Sequence, residues 1–282
     1  MGSGADEDSR FAEVTPMPTY THGHHEAVLS SHRWRTAENS AAHLLPHLRP
    51  GLSVLDVGCG PGTITTGLAE RVAPGGRVVG VDPAASVVAE AAREAAGRGL
   101  AGVTFATGDV HALDFPDDAF DVVHAHQVLQ HLPDPVAALR EMRRVCKPGG
   151  VVAARDADFG GMIWYPDPPG MDRWRPVYQA VARGNGGEPD AGPRLPSWAR
   201  RAGFTDVTAS ASVWCYSTPE EREWWSDSWG GRLLHSEVAD HAVSQGHATR
   251  EELAEFHAGW KAWAAAEDGW FGVPHGEIIC RA

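Results

Sequence analysis

The chain lacks a long apolar run. Nothing in its 282 residues approaches the roughly 18 consecutive apolar positions of a membrane-spanning helix, so no membrane partner is expected. Cysteine is scarce. Cys59, Cys146, Cys215 and Cys280 stand far apart with no Cys-x-x-Cys pair, which argues against a disulfide scaffold and against a structural zinc site. Positive charge is short as well: 24 Lys and Arg stand against 37 Asp and Glu, a formal net charge of −13. A nucleic-acid partner draws on clustered positive charge, so none is expected. The group Arg140, Arg143, Arg144 and Lys147 falls at helical spacing and reads as a solvated face. The first ten residues are polar and acidic and do not read as a secretory signal, which sets the expectation of a cytoplasmic protein.

What is present suits a globular enzyme-sized domain. A hydrophobic fraction of 43% supports a sizeable core, and the length accommodates one α/β domain with an embedded cap. Apolar positions at helical spacing predict a helix from Thr36 to Leu48, ended by Pro50-Gly51. Strands are predicted at 53–57, at Arg77–Val81 ending in Asp82, at Val103–Thr107, at Phe120–Ala125 and at Val151–Arg155. Helices at 62–72, 84–98 and 134–145 alternate with them, a rhythm that implies parallel βαβ units and a doubly wound α/β sheet. Further on, 172–183, 192–202 and 218–268 read as helical, Phe204–Tyr216 as a strand, and 275–281 as a short, antiparallel last strand. The expected organisation is a leader and lid over 1–33, a cofactor domain over 34–216, a tryptophan-rich helical cap over 217–273, and the final core strand over 274–282.

The most informative stretch is Leu55-Asp56-Val57-Gly58-Cys59-Gly60-Pro61-Gly62-Thr63. A strand that breaks into glycines lets a ligand approach the backbone, and the helix that follows offers unpaired N–H groups. The dinucleotide fingerprint wants a small residue where Thr63 stands. Asp56 beside a pyrophosphate would repel it, whereas a carboxylate suits a ligand with cationic groups. The turn therefore favours a cationic nucleoside over a dinucleotide. About 20 residues on, Asp82 ends the second strand at a spacing that suits ribose hydroxyls, though it equally suits a helix cap. Gly108-Asp109-Val110 ends the third strand, where the acid can accept from an adenine amino group and Val110 can pack on the ring; a turn residue is the plainer reading.

These motifs, with Gly80–Ala84, the acidic stretch Asp114–Val122 and Lys147–Gly150, together resemble the class I S-adenosylmethionine (SAM)-dependent methyltransferases, in the branch that includes ubiquinone and menaquinone biosynthesis enzymes. The resemblance runs from about Trp34 to Asp156. It implies a Rossmann-like fold with SAM across the strand C-termini, contacted by Asp56, Gly58, Gly60, Asp82, Pro83, Gly108, Asp109 and Val110. It further implies that His126 and Gln127 face the methionine part, and that an aromatic from the N-terminal segment, Tyr20 being nearest, closes the site.

Methyl transfer is an in-line displacement that needs positioning, and a base only for some acceptors. The candidates for such chemistry are His126, His131 and Asp156, with Asp158 beside it. Three have a plainer reading: His131 as a structural hydrogen-bonder, the two acids as turn caps. No metal is expected, because His22, His24 and His25 lack a carboxylate or cysteine at diagnostic spacing. Phe256, Trp260 and Trp263 lie on one helical face, either packing the cap or lining an aromatic acceptor pocket. The expected partner is a small apolar or aromatic molecule, and a homodimer is the default assembly. Two other readings stay open: a SAM-fold enzyme turned to a cyclisation or elimination, and a non-catalytic SAM-binding module. A dehydrogenase is disfavoured by Asp56 and Thr63.

Overall fold

A computed structural model of the chain describes residues 32–282. Its centre is an eight-stranded sheet. The strands are Ser53–Val57 (β1), Arg77–Asp82 (β2), Val103–Thr107 (β3), Phe120–His126 (β4), Cys146–Ala157 (β5), Ile163–Tyr165 (β6), Asp206–Tyr216 (β7) and Trp270–Arg281 (β8). They run in the order β3-β2-β1-β4-β5-β8-β6, with β7 on the outer side of β8. Pairings from β3 to β5 are parallel, and β8 is antiparallel to β5, β6 and β7. This is the mixed, mostly parallel doubly wound architecture that the alternating pattern predicts.

Register divides the central apolar residues between two faces. Val54 lies beside Val122 and Val122 beside Val151, while Leu55, Val123 and Val152 form the next row and point the other way. The first row packs with Ala37, Leu44, Ile64 and Leu68, from helices α1 (Ala37–Ser40) and α2 (Thr63–Val72) and the loop after α1. The second packs with Leu139, Met142, Leu195 and Trp198, from α4 (Pro135–Val145) and α6 (Leu195–Arg201). Helix α3 (Ala85–Gly97) flanks β2 and β3, and α5 (Trp174–Gly184) joins the cap.

Two expectations need correction and a third gains detail. The helix predicted over 36–48 is only the short α1 and a 3-10 turn at Leu45–His47, because Pro46 lacks the N–H that a continuing helix requires. The region 218–268 is three helices, α7 (Pro219–His235), α8 (Glu237–Ser244) and α9 (Arg250–Ala265). Thr218 with Glu221 and Thr249 with Glu252 form capping boxes that set two of the starts. The last strand is twelve residues long rather than seven, despite Pro274. Proline is tolerated there because its neighbours change at that point: β8 leaves β5 at His275 and takes up β6 at Gly272.

The helices α7 to α9 pack into a separate apolar cluster over the sheet end. Trp174, Trp229, Phe256, Trp260, Trp263 and Phe271 form its interior. Phe256, Trp260 and Trp263, the helical face noted in the sequence, are fully buried there and pack the cap.

Candidate active site

The C-terminal edge of β1 to β4 carries the glycine turn and the two acid tips. Gly58, Gly60 and Gly62 all have positive φ, at 65°, 54° and 80°. Two of the three are also required by packing. A Cβ on Gly58 would meet Val128 Cγ2 at 2.3 Å, and one on Gly62 would meet Ala91 at 2.9 Å. A Cβ on Gly60 would meet nothing within 4 Å, so this residue borders open space at the start of α2. Asp82 holds the turn from the side: its carboxylate accepts from the Gly60 N–H (3.1 Å) and the Ala84 N–H (3.0 Å). The capping geometry weighed in the sequence is therefore present. Pro83 is exposed behind it. Gly108 N–H donates to the Asp82 carbonyl, tying the β2 and β3 tips together. Asp109 keeps most of its side chain in solvent and accepts from the His111 N–H (2.9 Å), with Val110 buried beneath. Partial burial works against the Asp109 charge, but the His111 hydrogen bonds outweigh it and hold the carboxyl below its usual range.

Asp56 lies beneath the turn. It is 2% exposed, and both oxygens are engaged, one by the Thr65 hydroxyl at 2.6 Å and the other by His124 Nδ1 at 2.8 Å. Asp56 anchors the floor of the glycine turn to α2 and β4. Beyond it, the same sheet face carries a buried polar tract. His43 Nδ1 stands 4.0 Å from Glu277, which also accepts from Arg155 (3.2 Å), Ser210 and Ser212. Arg155 in turn lies over the Trp214 ring at 4.7 Å.

At the end of β4 the chain turns through Gln127, a non-glycine residue with φ of 52°. Its amide group bridges two distant elements, accepting from Arg35 Nη2 at 2.6 Å and facing His275 Nε2 at 2.8 Å. Gln127, Gln130 and His131 then line a cavity of about 40 Å³ with Trp34, Arg35, Trp214, Tyr216, Trp224, Trp225, Trp229 and Arg232. Of the three acid–base candidates, only His131 reaches this cavity. His126 is buried under Trp214 with neither ring nitrogen hydrogen-bonded. Asp156 is fully buried; one oxygen accepts from the Gln130 N–H (3.0 Å) and the other has no partner. Burial pushes the Asp156 carboxyl up to about 7 and, with the Arg35 and Arg232 charges, the His131 imidazole down to about 3. Burial likewise keeps His126 neutral, well below its usual range. Asp158 lies in a turn whose amide groups it faces, and burial raises its carboxyl.

Tyr20 and the histidines at 22, 24 and 25 lie outside the described residues. Among the described residues no group of three or more His, Cys, Asp or Glu could hold a metal ion, and no helix is long and apolar enough to cross a membrane. Sequence reasoning missed Trp34, Arg35, Gln130, Trp214, Tyr216 and Arg232. Its one usable signal was the aromatic density of 214–229; the arginines gave none.

Comparison with known proteins gives this geometry its class. Residues 48–182 match a family model described as a methyltransferase domain. An uncharacterized methyltransferase of Schizosaccharomyces pombe is 37% identical over 96% of this chain and 99% of its own length. A probable methyltransferase of Aspergillus luteorubrus, ltbC, is 33% identical over 95% and 99%. Among solved structures, a Haemonchus contortus phosphoethanolamine N-methyltransferase in complex with S-adenosylhomocysteine shares the fold, with a TM-score of 0.55 at 20% identity over 86% of this chain and 53% of that one. With end-to-end relatives of one class and a glycine turn in the matching half, the chain belongs to the methyltransferase family.

Proposed function

We propose that the protein transfers the methyl group of SAM to a small, apolar or aromatic acceptor held in the tryptophan-lined cavity beside the β4 tip. The observation that carries this reading is the adjacency of two features at one sheet edge. One is a glycine turn with Gly60 open to space and acids at the next two strand tips; the other is the aromatic cavity reached through Gln127. The turn fits SAM: Gly58 and Gly60 allow close backbone approach, Asp82 with Pro83 sits where a ribose is held, and Gly108, Asp109 and Val110 frame an adenine. Gln127, rather than the buried His126, is the β4-tip residue placed toward the cavity.

Bound there, SAM supplies a methyl group on a sulfonium, a good leaving group. The protein's task is then alignment: the acceptor atom about 3 Å from the methyl carbon and in line with sulfur. The aromatic walls exclude water, and Gln127 and Gln130 offer hydrogen bonds that orient a polar group. His131 is neutral at pH 7 and a weak base, and Asp156 does not reach the cavity. Positioning therefore carries most of the catalysis. We further infer a cytoplasmic enzyme without nucleic-acid partners, given its 24 basic and 37 acidic residues, with 217–273 acting as the cap of the acceptor site.

Calorimetric titration with SAM, and separately with NADH, tests the cofactor. Micromolar SAM binding, no heat with NADH, and loss of SAM binding in a folded Asp82→Ala variant are expected. A folded wild-type protein that takes up no SAM would overturn the reading, and turnover of an acceptor without S-adenosylhomocysteine formation would overturn methyl transfer.

A further inference from the structure

Gln127 is one of two described non-glycine residues in the left-handed region, the other being Asp118 in an exposed turn. That conformation is costly for a residue with a Cβ and persists where the surroundings hold it. Here they do. The Gln127 N–H donates to the Arg155 carbonyl at 2.7 Å, and the side chain belongs to a directed series of hydrogen bonds. A guanidinium can only donate, so the amide atom 2.6 Å from Arg35 Nη2 is the oxygen. The amide nitrogen therefore faces His275 Nε2, at 2.8 Å. At the far end, His275 Nδ1 stands 3.0 Å from the Val273 carbonyl, which can only accept. The ring proton is thus on Nδ1, and Nε2 accepts from Gln127. Each group fixes the next, and the amide has one orientation.

The His275 ring is itself held. It is buried against Trp214, with ring centroids 4.3 Å apart, and stacks on His126 at 6.2 Å. Burial, and after it the Arg155 charge, keep this imidazole well below its usual range, so Nε2 retains its lone pair at neutral pH.

The series ends at a particular place. Val128, the residue after Gln127, closes on Gly58 of the glycine turn, while Gln127 itself lines the aromatic cavity. With the nucleoside of SAM at the β2 and β3 tips, the strand order β3-β2-β1-β4 puts its amino-acid end at the β1 and β4 tips. Gln127 stands there. Arg35 and His275 use one lone pair of its oxygen and one of its two amide N–H groups, which leaves one of each for a ligand.

We propose that His275 is a positioning residue for the cofactor: with Arg35 it fixes the Gln127 amide at the β4 tip, where that amide takes the amino-acid end of SAM. This rests on the methyl-transfer reading and deepens it. The last strand, 148 residues beyond Gln127, thereby contributes to the site without touching the ligand. Transfer requires the sulfur in line with the acceptor, and an amide free to turn would let that end of SAM shift.

The test is calorimetric titration of the full chain with two probes, S-adenosylhomocysteine and 5′-methylthioadenosine. The second keeps the nucleoside and the sulfur but lacks the amino-acid end. His275→Phe keeps a flat ring against Trp214 and removes the acceptor nitrogen. It is expected to weaken S-adenosylhomocysteine about tenfold, the worth of one orienting hydrogen bond to a charged ligand, and to leave methylthioadenosine unchanged. His275→Gln, whose carbonyl reaches where Nε2 stood, should recover most of the loss. In a Gln127→Ala background, His275→Phe should have no further effect, because the two residues act as one unit. The proposal is overturned if His275→Phe weakens both probes alike or neither, or if the two substitutions add.

Nitrogen-15 NMR of the unaltered chain needs no variant. His275 is expected to carry its proton on Nδ1, and the Gln127 amide signal to move with S-adenosylhomocysteine but not with methylthioadenosine. A proton on Nε2, or an equal response to both probes, overturns the proposal as well. A wild-type chain that binds neither SAM nor S-adenosylhomocysteine would instead mark failure of the methyl-transfer reading itself.

Discussion

Nδ1 of His124 stands 2.8 Å from Oδ1 of Asp56, both side chains sealed beneath the glycine turn, with the Thr65 hydroxyl on the other carboxylate oxygen. Three elements, β1, β4 and α2, are thereby tied at the point from which the turn springs. Replacing Asp56 by Ala strands a buried imidazole and a buried hydroxyl together. Each unsatisfied group costs about 1–3 kcal/mol, so urea unfolding of Asp56→Ala should show a loss of about 2–6 kcal/mol. SAM affinity should fall with it, through the displaced turn. A variant that keeps full stability but loses SAM would return Asp56 to a direct binding role.

The three glycines of the turn should separate into structural and functional classes. Gly58→Ala places a methyl 2.3 Å from Val128 Cγ2, and this clash should destabilise the fold. Adding Val128→Ala removes the obstacle and should recover part of the loss, leaving the cost of a non-glycine residue at φ 65°, about 1–2 kcal/mol. Gly60→Ala meets no neighbour and should cost only that backbone term, yet it puts a methyl into the open space where we propose that the cofactor lies. A large drop in SAM affinity with a small drop in melting temperature is expected, and the reverse pattern would count against Gly60 as the contact point.

How much of this could be read from the amino-acid sequence follows from the range of the interactions. The strand–turn–helix unit around Gly58–Gly62, the acid tips at Asp82 and Asp109, and the breaks at Pro74-Gly75 are local patterns, and local patterns are legible. The partners of Asp56 were not, because they come from two other elements and a carboxylate in a turn says nothing of which way it faces. The cavity was the least legible feature. Trp34 and Arg35 precede α1, Gln127 to His131 follow β4, Tyr216 ends β7, and Arg232 sits on α7. Only the sheet order, with β8 inserted between β5 and β7, brings them to one edge. Pro46 shows the opposite case: the apolar spacing over 36–48 suggests one helix, while a residue without an N–H cannot continue it.

Buried titratable groups should give the protein opposing pH responses. Burial raises Asp156 to about 7, well above the value near 3.9 of an unfolded chain. The native state then holds a proton that the unfolded state has released, so this residue's contribution to stability is lost as pH rises from about 4 through 7. The histidines act the other way. Burial lowers His43 to about 3 and His126 and His275 well below 6.5, so their contribution is present above about 6.5 and is lost as pH falls. Asp156→Asn keeps an oxygen for the Gln130 N–H and cannot ionise. Urea unfolding at pH 5 and pH 8 should show the variant gaining on wild type as pH rises, by up to a few kcal/mol. Parallel curves for the two proteins would mean that Asp156 is ionised throughout.

The tryptophans of the cap should also divide by role. Trp260 is fully buried against Trp174, Trp263 and Phe271, far from solvent and outside the cavity lining. Trp260→Ala should therefore cost about 3–5 kcal/mol in unfolding free energy, while the folded fraction retains its affinity for SAM. Trp224 is half-buried, stacks among Trp34, Tyr216 and Trp225, and lines the cavity. Its removal leaves a smaller void because solvent can enter, so Trp224→Ala should cost clearly less stability. The same substitution should weaken binding of a flat aromatic probe such as cinnamamide severalfold while SAM affinity stays unchanged. If Trp224→Ala leaves probe binding intact, the cavity is not where the acceptor ring lies, and the cap helices serve only to close the sheet end.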